Sequence, residues 1–153
     1  MKFPSIESLA MSRIPRFQEH LKTAFTAEAA SAARFRANAA RAERDGHPNL
    51  ARRWQRLAAA KDALAVALLE AAEQVRGGGT DLADAIAEER FENDVLYPKM
   101  IRDLDPATAD ALLRVVAAQK EHLRELEAMR QALTSAPGDV ALPAEVADTA
   151  HAT

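Results

Sequence analysis

Five side chains able to bind a metal interrupt otherwise apolar stripes in this 153-residue chain. In the first predicted helix the stripe reads Phe17, Leu21, Ala24, then Glu28, then Ala32, Phe35 and Ala39. In the third it reads Leu82, Ile86, then Glu89 and Glu92, then Leu96 and Met100. In the fourth it reads Leu112, Val115, then Gln119 and His122, then Leu126, Met129 and Leu133. Three carboxylates, one amide and one imidazole therefore fall mid-helix at positions where a period of 3.6 expects apolar residues. A buried ionised carboxylate with no partner costs several kcal/mol or takes up a proton. A divalent cation would relieve that cost, and a carboxylate-plus-imidazole donor set suits iron or manganese, with zinc less distinctive.

A blander reading stands beside this one. Glu89 follows Glu88, so a small rotation of the helix would put it in water, and Glu28 or His122 would each pass as a flank residue. On the second predicted helix the stripe Leu50, Trp54, Leu57, Leu64, Leu68 and Val75 holds Ala60, Lys61 and Ala63 at the matching height. Lys61 either supplies a positive charge of its own or, the reading favoured from sequence, snorkels from the flank into water.

The elements that must position these groups are helices. Alanine fills 36 positions, and aromatic residues make up only 5%, which favours helix over sheet. Residues 1–14 read as an arm punctuated by Pro4 and Pro15, with one helical turn across Ile6–Met11. The helices are predicted over Pro15–Asp45, from an Asn49 cap to Arg76, over about Leu82–Asp103 with a kink at Tyr97-Pro98, and over Pro106–Thr134. Gly46-His47-Pro48, Gly77-Gly78-Gly79-Thr80 with Thr80 or Asp81 as cap, and Asp105-Pro106 punctuate them. The expected fold is an all-α four-helix bundle over residues 15–134, followed by a disordered acidic tail at 135–153.

Composition closes several routes. There is no cysteine, hence no thiol nucleophile, disulfide, thiolate zinc site or iron–sulfur cluster. The net charge of −3 gives no global pull toward nucleic acid or membrane. Arg34, Arg36, Arg41, Arg44, Arg52, Arg53 and Arg56 gather near the tip of the first hairpin. Trp54 and Phe35 fit the core rather than a stacking platform beside them, and no nucleic acid is expected. The longest apolar stretch, Ala63 to Leu69, is far too short to span a bilayer. Met1-Lys2-Phe3-Pro4-Ser5 lacks the order of a signal peptide, so the expectation is a cytoplasmic protein.

Three segments resemble the rubrerythrins, a branch of the ferritin-like bundles: Ala24-Phe25-Thr26-Ala27-Glu28-Ala29, the run Glu89 to Pro98, and Gln119-Lys120-Glu121-His122. The Glu89-x-x-Glu92 pair followed by Tyr97-Pro98 is the most specific of these. The resemblance implies a metal set of Glu28, Glu89, Glu92, Gln119 and His122, with Gln119 standing where the family has glutamate. Ala60 and Ala63 stand where the second helix would contribute ligands, so the implied cofactor is one ion of iron or manganese rather than two. Tyr97 is the implied catalytic hydrogen-bond donor, and Phe35 takes the place of a family tyrosine. The absence of cysteine excludes the rubredoxin module that often serves as electron donor.

Each predicted helix is roughly 40 Å long, whereas residues 77–81 span at most about 18 Å. That linker cannot cross back along a bundle, so the chain is either up-down-up-down or a homodimer that exchanges hairpins. The resemblance implies the second, with Glu28 sharing a site with the partner's other ligands. The implied activity is that of an oxidoreductase toward peroxide or dioxygen. The alternative is a catalytically inactive helical dimer kept as a structural or interaction module.

Overall fold

The computed structural model describes residues 6–136 and 138–142, with side chains described from Gln18 onward. Among the described residues the protein is all-α, with no strand and no helix long and apolar enough to cross a membrane. It divides into two compact units, residues 1–75 and 76–153.

The first unit is a hairpin of α1 (Ile6–Arg44) and α2 (Pro48–Ala71). α1 begins at Ile6, so Pro15 lies within it and the expected arm is largely helical. Residues 7–13 include good helix formers, and one proline removes a single backbone bond without ending the helix. α1 stops where Gly46 takes a φ of +80°. His47 N–H then donates to Ala42 O and Gly46 N–H to Glu43 O, which satisfies two terminal carbonyls. Pro48 occupies the first turn of α2, so His47 rather than Asn49 is the cap residue, without a side-chain cap bond. α2 ends earlier than Arg76 through the same hydrogen-bond pattern: Gln74 N–H donates to Leu69 O and Glu73 N–H to Glu70 O. Here the left-handed position is held by Glu73, with φ 55°.

The face of α2 that packs on α1 differs from the expected stripe. Ala51, Ala58 and Ala65 are buried, and Ala32, Ala39 and Ala42 are their buried counterparts on α1. Leu50, Leu57 and Leu64 are about half exposed, at 47%, 51% and 53%. Two helices that meet through methyl groups approach closely, and the neighbouring leucines are left on the flank. Trp54 packs against Ala39, Ala42 and Ala51, and its ring lies 5.0 Å from that of Phe35.

The second unit comprises α3 (Gly78–Phe91), a π-helical turn (Glu92–Leu96), α4 (Tyr97–Ile101) and α5 (Pro106–Ser135). Asp81 secures the entrance to α3 from inside the first turn, accepting the N–H groups of Arg76 and Gly77 at 2.8 and 3.0 Å. Those bonds hold its carboxyl below the ordinary aspartate range. Leu82 and Ile86 are the buried apolar anchors of α3.

At Pro98 the helix does not simply kink. Tyr97 N–H reaches back to Glu92 O, the five-residue spacing of a π turn. Proline has no N–H for the carbonyl four residues earlier and its ring crowds that carbonyl; the wider turn accommodates both. α5 opens as expected, with Asp105 accepting from Ala107 N–H and Thr108 N–H and from the Thr108 hydroxyl. The Thr108 hydroxyl, ahead of the backbone donors, lowers the Asp105 pKa. α5 ends at Ser135, and most of the expected tail, residues 137 and 143–153, lies outside the described residues.

Candidate metal centre

The second unit gathers four of the five expected ligands along α3, the π turn and α5. Glu89 and Glu92 are three residues apart on one face, and both are half-buried. Gln119 Nε2 donates to Glu92 Oε2 at 2.5 Å. His122 Nδ1 lies 3.9 Å from Glu89 Oε1, too far for a hydrogen bond. The His122 side chain is 65% exposed, against 21% for Glu89, so His122 sits at the rim and not in the core position its stripe suggests.

Several polar atoms in this region are enclosed without a hydrogen-bond partner: Glu89 Oε2, Gln119 Oε1, and both amide atoms of Asn93. Native folds rarely leave such atoms unmatched. The donor chemistry fits a hard or borderline divalent ion, with carboxylate oxygens from Glu89 and Glu92, an amide oxygen from Gln119 and an imidazole nitrogen at the rim. Nearby Arg90 is taken up by an ion pair with Glu127 and does not neutralise the pair of carboxylates. Among the described residues, no three His, Asp or Glu side chains are already drawn together as a metal cluster.

No known protein family matches the sequence, and no curated protein matches it.

Glu28 belongs to the first unit, where Lys61 Nζ lies 2.8 Å from its Oε2. The contact is an ion pair rather than an aligned hydrogen bond, since the same oxygen lacks a donor of good geometry. Both side chains are mostly covered, at 32% and 23% exposure. This corrects the expectation that Lys61 snorkels into water: the carboxylate on the facing helix is close enough to capture the ammonium. Between the same two helices, Arg36, eight residues beyond Glu28 on α1, pairs with Asp62, the residue after Lys61. Two of the arginines near the hairpin tip are thus matched by acids, Arg36 by Asp62 and Arg41 by Asp45.

Tyr97 is half-buried and closes the π turn through its backbone. Asn93, 7% exposed, is the buried polar residue that stripe analysis missed. Leu82, Ile86 and Asn93 stand four and then seven residues apart, so Asn93 continues the buried face of α3, and that spacing was a usable signal. The π turn itself had no sequence signal beyond Pro98.

Proposed function

We propose that this chain is a rubrerythrin-like helical protein that binds one iron or manganese ion through Glu89, Glu92, Gln119 and His122. The observation that carries this reading is the pair of enclosed, unpartnered oxygens, Glu89 Oε2 and Gln119 Oε1, beside the Glu92 carboxylate. Such a metal would supply a redox centre toward peroxide or dioxygen. Glu92 and Glu89 would hold it by charge, Gln119 would fix the Glu92 carboxylate through its amide, and His122 would close the rim. Tyr97 would orient a substrate oxygen from the far end of the π turn. Glu28 is left out of the set because Lys61 already neutralises it.

The proposal takes the protein to be a cytoplasmic homodimer of ferritin-like architecture formed by exchange of hairpins. The half-exposed ridge of Leu50, Leu57 and Leu64 on α2 supports association, because burying the rest of each leucine contributes roughly 1 kcal/mol.

Metal analysis of the purified protein tests the site. About one equivalent of iron or manganese per chain is expected, with loss of that metal in Glu92→Ala. Metal-free protein whose stability rises on Glu92→Leu would instead identify an inactive helical dimer. The Lys61–Glu28 ion pair favours this second reading within the first unit, since a protein cation there already does the work of a metal charge.

A further inference from the structure

We propose that the open cavity lined by the π turn, α4 and α5 binds a small organic phosphate. It has a volume of about 740 Å³, within the range of pockets that hold small ligands. It lies wholly in the second unit and shares no residue with the proposed metal set.

Charge decides what the cavity takes. Lys99, Arg102 and Lys120 line it, and none of the three forms an ion pair among the described residues. They come from two elements, Lys99 and Arg102 from the α4 end and Lys120 from α5. Asp94 is the opposing carboxylate in the wall, and the three cations leave a surplus that suits a dianionic group. Arg102 offers a planar fork to phosphate oxygens, and the two lysines add point charges. Leu113 and Val116 form an apolar wall, which selects a phosphate carrying an organic body over the bare ion.

Asn93 supplies the polar group that the fold has left unused. It belongs to the cavity wall, is 7% exposed, and neither its Nδ2 nor its Oδ1 has a partner. Turned toward a seated ligand, this amide would gain the hydrogen bonds that the protein does not give it. A buried amide without partners is a stability cost that ligand binding would offset.

Calorimetric titration of the full chain with phenyl phosphate tests the proposal. Saturable binding is expected, at least about tenfold tighter than for inorganic phosphate, and weakened about tenfold or more by Arg102→Ala with Lys120→Ala. Both substituted residues are exposed, so the fold survives the change. Asn93→Leu should weaken phenyl phosphate binding while raising the melting temperature of the free protein, a pairing that a purely structural role would not produce. Absence of saturable binding, equal affinity for inorganic phosphate, or an affinity indifferent to loss of Arg102 and Lys120 would overturn the proposal.

Discussion

Glu28 and Lys61 show how one residue's neighbour changes its chemistry. A lysine whose stem lies along an apolar flank is ordinarily drawn to water, but here the facing carboxylate is 2.8 Å away. Lys61→Met should lower stability by about 1–3 kcal/mol in urea unfolding, because it leaves Glu28 partly covered and unpaired. Glu28→Gln in the same chain should recover part of that loss. At the two helix entrances the carboxylates act through backbone donors. The pKa values of Asp81 and Asp105 are both lowered from 3.8, so their contribution to folding is complete above that pH and lost as pH falls through the lowered values. Circular dichroism on acid titration should therefore hold steady down to the ordinary aspartate range and decline below it. Asp105→Ala should lower the melting temperature at neutral pH and weaken the acid dependence. The Asp105 cap was legible in the sequence because Asp-Pro ahead of a helical pattern is a local signal. The Lys61 pairing was not, since it depends on how far apart two helices pack.

Among the elements, α2 departs most from its sequence pattern. Hydrophobicity ranks leucine above alanine and so assigns Leu50, Leu57 and Leu64 to the core, yet Ala51, Ala58 and Ala65 are the buried set. Close helix contact selects small side chains, a criterion that a stripe of apolar residues does not contain. The C-terminal end of α2 was also misplaced, because the residue that turns the chain there is Glu73 and not a glycine. A glutamate at φ 55° carries the steric cost of a Cβ in the left-handed region. Glu73→Gly should raise stability by about 1 kcal/mol, measured as a higher urea midpoint at unchanged slope. The Pro98 kink was legible as a break in the ladder. Its form as a π turn was not, because proline dictates which bond is missing and not how the neighbouring carbonyls are satisfied.

For the whole molecule, the all-α class followed directly from alanine content and period, while assembly rests on what each unit leaves uncovered. The leucine ridge of α2 repeats every seven residues, the spacing that keeps one seam facing a partner helix. Light scattering of the intact chain should give a dimer at micromolar concentration, and Leu57→Glu with Leu64→Glu should give a monomer that remains helical. The π turn carries a consequence for chain length. Its five-residue spacing adds about one residue to the helical repeat, and one residue is about 100° of rotation around an α-helix. Deleting Val95 would return the segment to an ordinary α turn, in which the lost residue and the narrower turn cancel, so the Glu89 and Lys99 sides would keep nearly their present orientation. A deletion outside the wider turn has no such slack and would rotate everything beyond it by that angle. In this segment the loss of one residue would therefore be tolerated better than a loss elsewhere along α3 or α5.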